Sequence, residues 1–215
     1  MTDGDEVVLV VGLLAIAALS RRAVPWGNPS EWVWPIPDAT IGGVHYPAVI
    51  GGEFGDARPN GETHRGVDVL YRRRSPKDLL SRYPDRTSSG SKMHIAPEGT
   101  PIIAARDGVV WSVKRTSRGW SIVISHGKPF ATYYTHLESC AFPQHASGLN
   151  VATGKATRVQ AGDYLGPMGW DPMDKSRLRH LHFAVWVDGT DAQAVDPQAV
   201  MSGWRRVSWR FNPER

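Results

Sequence analysis

The stretch LRHLHFAVWV, residues 178–187, decides how the chain is read. It is a run of apolar residues interrupted by two imidazoles, His180 and His182, with one leucine between them. In a β-strand successive side chains point to opposite faces. His180, His182, Ala184 and Trp186 then share one face. Leu181, Phe183, Val185 and Val187 share the other, which is the natural core face. Two rings on one face of a strand lie about 7 Å apart along it by the strand rise. Either histidine taken alone reads as an ordinary half-exposed residue. The pair on an apolar strand points to a metal or catalytic site.

Working outward, the segments before this strand are short, rich in β-formers and separated by turn signals. IIAA, VVWSVK, WSIVISH and ATYYTH alternate with the turns PEGTP, RDG, TSRG and GKP. That spacing predicts an antiparallel, mainly β domain. Residues 25–63 are rich in Pro, Gly and Trp and predict irregular segments with short strands and no long helix. Residues 71–92, YRRRSPKDLLSRYPDRTSSGSK, are polar and charged and read as a long surface insertion.

The N-terminus carries an unbroken apolar run at residues 7–19, shorter than the roughly 20 residues that span a bilayer. Acids precede it and Arg21 and Arg22 follow, the reverse of a secretory signal but matched to a helix dipole. We read residues 1–24 as an apolar helix, an anchor that is membrane-inserted or buried in a larger assembly. An atypical signal peptide or a disordered tail is the other reading. Residues 25–204 then form one domain and 205–215 a C-terminal tail.

Composition bounds the chemistry. At 215 residues and 41% hydrophobic content the chain can bury a core without disulfides. The single cysteine, Cys140, excludes an intramolecular disulfide and Cys-rich zinc modules. A net charge of +4 suits an anionic partner, but the charges are scattered and the only dense cluster is Arg72–Arg74. No nucleic-acid partner is expected. The sequence has no HExxH, no Gly-x-Ser-x-Gly and no GxxxxGK[ST].

Two further segments hold candidate residues. In THRGVDVL an extended backbone places His64, Gly66 and Asp68 on one face, with Gly66 leaving room for a close approach. A Gly turn with a capping Asp is the alternative. Two His and one Asp are a good zinc set that leaves the fourth tetrahedral position open. In ATYYTHLES alternation puts His136 on the face of Thr132 and Tyr134, with Tyr133, Thr135 and Leu137 opposite.

HRGVD, YTHL and HLHF, in that order, resemble the lysostaphin/LytM-type zinc endopeptidases that cut peptidoglycan peptides. GEFGDAR, APEGTPIIAARDGVV and VQAGDYLG resemble the strands that flank those motifs, and the resemblance covers about residues 33–200. It implies a curved antiparallel β-sheet with the metal on its concave face. It implies Zn2+ held by His64, Asp68 and His182, with His180 as general base and His136 donating a hydrogen bond to the developing oxyanion. The implied substrate is a peptidoglycan peptide and the implied location is extracytoplasmic, in the periplasm, the cell wall or a phage virion. The segment 7–19 would provide a membrane or phage-particle contact. Two departures stand out. Residues 70–93 intervene where the family runs straight on, which points to relatives encoded by phages or prophages. DPMDKSRLR replaces a Ser-Thr-Gly run before HLHF. The insertion is expected to wall the groove, with Arg72, Arg73 and Arg74 facing substrate carboxylates or simply solvated. A structural component, such as a phage-tail part with a vestigial or secondary site, is the rival reading.

Overall fold

A computed structural model describes residues 26–58, 61–75, 78, 94–144, 156–187 and 193–210. The expected helix at 1–24 and most of the insertion lie outside the described residues. The mainly β expectation holds. The principal sheet has nine strands, with the central order β10-β7-β8-β9-β12-β4-β3. These are β3 (Ala48–Gly52), β4 (Val67–Arg72), β7 (Gly108–Thr116), β8 (Gly119–Ser125), β9 (Phe130–Leu137), β10 (Arg158–Val159) and β12 (Leu181–Val187). All its pairings are antiparallel. β5 (His94–Ile95) adds to β4, pairing Tyr71 with Ile95 and Arg72 with His94. The two ends of the insertion therefore meet in one ladder, and its first residues, Tyr71 and Arg72, still belong to a strand. Among the described residues no helix is long and apolar enough to cross a membrane.

Alternation sorts β12 as the sequence predicts. Leu181, Phe183 and Val185 are fully buried, and each such large apolar side chain contributes roughly 1.5–3 kcal/mol by leaving water. They pack into a core with Val67, Val69, Ile122 and Ile124. The Trp-rich N-terminal segment covers the same core. Trp32 stacks on Trp204 at 4.8 Å between ring centroids, and Trp204 meets Phe183 edge-on at 6.0 Å.

Residues 205–210 belong to the fold rather than to a tail. Arg205 bridges Val33, and β14 (Ser208–Arg210) pairs in parallel with β1 (Asp38–Ile41). Arg206 holds this corner. It lies over the Trp34 ring at 4.0 Å and pairs with Asp38 at 2.5 Å.

β9 departs from simple alternation. β8 pairs Trp120 with Leu137 and Ile122 with Tyr134, so Ser121 alone faces two residues, Thr135 and His136. This is a β-bulge, and His136 takes φ 70°, in the left-handed region. The extra residue moves His136 off the face of Tyr134. Tyr134 stays in the core, where its hydroxyl accepts the Ala105 N–H at 2.8 Å. His136 joins Tyr133 and Thr135 on the other side, lining the groove.

Removing the Tyr134 hydroxyl leaves the buried Ala105 N–H without its acceptor. Tyr134→Phe is expected to cost about 1–3 kcal/mol of stability in urea unfolding. An unchanged midpoint and slope would show that water reaches this amide.

Candidate metal centre

Three neighbouring strands, β9, β12 and β4, carry His136, His182 and Asp68, while His180 immediately precedes β12 and His64 lies before β4. β12 pairs with β4 so that His182 sits directly opposite Asp68. His64 arrives from the other side of Asp68. Residues 53–58 and 61–64 run back alongside each other through the Ala57–Thr63 bridge and the mutual bonds of the Asp56, Gly55 and His64 backbones. That return places the Glu53 carbonyl against the His64 ring, which donates its Nδ1–H at 2.6 Å. Nε2 of His64 is thereby left as a lone pair facing Asp68 and His182.

The three donor atoms converge. His64 Nε2 lies 2.9 Å from His182 Nδ1 and 3.2 Å from Asp68 Oδ1, and His182 Nδ1 lies 3.3 Å from the same oxygen. Tetrahedral donors at about 2.0–2.1 Å from one zinc ion stand about 3.3 Å apart, so the triangle fits such an ion. The donor set is two imidazoles and a carboxylate, and all three groups are buried or nearly so. Three electron pairs held this close repel each other unless a cation, a proton or a metal, sits among them.

Electrostatics agree. Burial alone would raise the Asp68 carboxyl, but bonds from His182 and His64 and the nearby His180 and His182 outweigh it and hold it well below the usual carboxylate range. Burial pushes His182 down, with Asp68 opposing. Both groups are thus kept in the forms that ligate metal. The second carboxylate oxygen is occupied by Arg58, whose guanidinium donates to Oδ2 at 2.9 Å. This leaves Oδ1 for the centre.

Two glycines make room. A Cβ on Gly66 would stand 2.8 Å from His182 Nε2 and 2.7 Å from the Phe183 carbonyl. A Cβ on Gly52 would stand 2.6 Å from Asp68 Oδ2. Gly66 is the close approach that the HRGVD stretch predicts.

His136 and His180 flank the triangle, with ring centroids 4.7 Å apart. Both have their tautomer set by a backbone carbonyl. His136 donates Nδ1–H to Arg118 O and His180 donates Nδ1–H to Leu178 O, each at 2.8 Å. Nε2 of His180 stands 3.8 Å from Asp68 Oδ1. Burial, reinforced by the neighbouring His180, lowers His136 to about 3, so it is held neutral. All five residues line one open groove of about 1240 Å³. Arg72, Arg73 and Arg74 are not among its lining residues. They border a separate cleft with Tyr46, Pro47 and Val49, and Arg74 reaches the His45 carbonyl and lies over Tyr46 at 5.3 Å. The described residues that line the groove near the insertion are His94, Leu70 and Gly51, and most of residues 71–92, from which a wall was expected, lie outside the described residues.

Sequence reasoning missed Arg58, although it sits in the GEFGDAR segment. It also missed the carbonyls of Glu53, Arg118 and Leu178, which carry no side-chain signature. Arg58→Ala is expected to weaken divalent-metal binding about 10–100-fold in competition with a chromogenic chelator. Gly66→Ala, which drives a methyl group against the His182 ring, is expected to weaken it at least as much. Wild-type affinity in both variants would separate metal binding from this triangle.

The model of peptidase family M23 matches residues 87–197, a span that contains His136, His180 and His182 and begins after His64 and Asp68. DD-carboxypeptidase/endopeptidase Mpg of Neisseria meningitidis serogroup B is 30% identical over 108 residues, 50% of this chain and 21% of that protein. Its counterpart in Neisseria gonorrhoeae matches equally. The chain thus spans about a fifth of the length of these relatives. Among solved structures, a putative glycyl-glycine endopeptidase LytM from Ruminococcus gnavus superposes with a TM-score of 0.56 at 19% identity, over 94% of this chain and 76% of that one. A chain of the SpoIIIAH–SpoIIQ complex superposes with a TM-score of 0.51 at 15% identity, over 78% of this chain and 98% of that one. These two likenesses speak for the fold. The family model covers more than half of the sequence, and with it the chain belongs to peptidase family M23.

Proposed function

We propose that the chain is a zinc-dependent endopeptidase that hydrolyses peptide bonds of bacterial peptidoglycan. The observation that carries the reading is the triangle of His64 Nε2, Asp68 Oδ1 and His182 Nδ1 beside two histidines whose Nδ1 protons are already committed to carbonyls. A zinc ion held by the three donors supplies, when bound, a Lewis acid that polarises a carbonyl and acidifies water. The chain's own groups do the rest. His180 presents an Nε2 lone pair to the groove and takes the proton from the attacking water. It then returns that proton to the leaving amine.

His136 is better suited to a different task from the oxyanion donor that the resemblance implies. Its Nδ1–H is spent on Arg118 and it is held neutral, so its Nε2 accepts rather than donates. In this reading it accepts a hydrogen bond from the attacking water and aims the lone pair of that water. The open groove admits an extended peptide across the centre. The names of the Neisseria relatives, a carboxypeptidase/endopeptidase, favour a wall peptide as substrate. The rival, a structural part with a vestigial site, would leave the tight donor triangle and the two fixed tautomers without use.

Peptidoglycan lies outside the cytoplasmic membrane. The reading therefore places the enzyme in the periplasm, the cell wall or a phage virion, with residues 7–19 as its attachment segment.

Purified sacculi digested with the protein should release soluble muropeptides, and a chelator should stop the release. Mass spectrometry of the fragments identifies the bond. His64→Ala should lose both metal and activity. His180→Ala and His136→Ala should keep the metal and lose about 100-fold or more in rate. Wild-type digestion by His180→Ala, or digestion that is indifferent to the chelator, would overturn the mechanism.

A further inference from the structure

The segment DPMDKSRL, residues 171–178, lies on the groove at Asp171, Met173, Asp174 and Leu178. Its ends are closed by the Trp170–Arg179 bridge. Opposite it stands the tip of the β7–β8 hairpin, where Thr116 pairs with Gly119 and only Ser117 and Arg118 turn the chain. These two segments supply the two carbonyls that fix the site histidines. Leu178 orients His180, and Arg118 orients His136. A two-residue hairpin tip is by nature an exposed and weakly held place from which to orient a buried ring.

The Arg118 side chain crosses to the other segment. Its guanidinium donates to Asp171 Oδ2 at 2.6 Å. Asp171 is a firm partner. Its side chain is 9% exposed, and its other oxygen accepts the Met173 N–H at 2.9 Å. The backbone of Arg118 is held in turn by Thr116, whose hydroxyl accepts the Arg118 N–H at 3.1 Å. One ion pair thus joins the element that orients His136 to the element that orients His180.

We propose that the Arg118–Asp171 pair is a positioning device, which ties the β7–β8 hairpin tip to residues 171–178 and so keeps the Nε2 atoms of His136 and His180 aimed at the same point. The catalytic part of this proposal rests on the peptidase reading above. Neither Arg118 nor Asp171 belongs to the metal triangle, so losing the pair should spare metal binding while misplacing the histidines. A small misplacement of a reacting group costs up to about 100-fold in rate.

The test uses the zinc-loaded full chain with Arg118→Met, Arg118→Lys, Asp171→Asn and the double variant Arg118→Met/Asp171→Asn. Imidazole 15N spectra should show His136 as one Nδ1–H tautomer in the wild type and as a mixture of tautomers in Arg118→Met and Asp171→Asn. On a soluble muropeptide, kcat should fall about 10–100-fold with KM changed much less. Zinc stoichiometry should stay at the wild-type level, and Arg118→Lys should recover part of the loss. The double variant should be no worse than the worse single one. Retention of the single tautomer in both single variants overturns the proposal, whatever the activity. Additive losses in the double variant also overturn it, as does a loss that tracks zinc content. A wild-type chain that is inactive on every muropeptide would sink the peptidase reading, while the tautomer spectra would still decide the role of the pair.

Discussion

The register between β4 and β12 is the constraint on which the site depends. With His182 opposite Asp68, the same ladder sets Leu181 against Val69 and Phe183 against Val67. The apolar pairs face the core and the polar pair faces the groove. A slip of one residue would turn His182 inward and Phe183 outward, because strand periodicity is two. The burial of Leu181, Phe183 and Val185 therefore enforces the meeting of His182 and Asp68. The hydrophobic effect, which knows nothing of metals, thereby sets how these two donor groups meet. Gly66 completes the arrangement by letting the chain that carries His64 pass against the His182 ring.

His136 and His180 are placed by a different logic. His180 precedes β12 and His136 sits in a bulge, so neither is fixed by ladder pairing alone. A residue with a side chain in the left-handed region costs of order 1–3 kcal/mol, and such strain persists only where the surroundings over-determine it. Around His136 the determinants are the Arg118 carbonyl on its ring and its own carbonyl accepting Gly169 N–H at 2.7 Å. Bulges beside active sites re-aim side chains, and this one transfers an imidazole from the core face to the groove. A second irregularity, between Ile50 and Gly52 of β3, lies beside Asp68. Gly52 there leaves the space that the Asp68 carboxylate fills.

Much of this was legible in the chain. Strict alternation in HLHFAVWV gives the two faces of β12, and the turn signals mark β6 (Pro101–Ile103) to β9. Gly66 is readable because a strand glycine between two polar residues signals close approach. The face of His136 was not readable. ATYYTHLE alternates cleanly, and no Gly or Pro announces the extra residue at Thr135–His136. Only pairing with β8, a tertiary fact, reveals it. The same holds for Glu53, Arg118 and Leu178, which act through carbonyls that every residue type possesses. For Arg72–Arg74 the groove-facing alternative is the one that falls away. A dense charge run in sequence invites a functional reading, yet the end of β4 carries it to a cleft of its own.

These two placements imply a division of labour. Asp68 and His182 of the triangle sit on paired strands inside a sheet, where opening costs close to the global stability, whereas the rings of His136 and His180 are oriented by carbonyls of a hairpin tip and a short segment, which open at lower cost. The triangle also carries an electrostatic penalty when no cation neutralises it, since His64 Nε2, His182 Nδ1 and Asp68 Oδ1 are all held within 3.3 Å of one another. The sheet holds them there against that repulsion, so the repulsion is relieved only when a cation enters. Cation binding must therefore stabilise the β4–β12 ladder by mass action, because a chain with that ladder opened has no triangle to offer. A cation bound there would in turn reinforce the register that creates the triangle. The histidine placements gain much less from the cation, since neither His136 nor His180 belongs to the triangle. Their order has to come from the carbonyls and the ion pair that surround them.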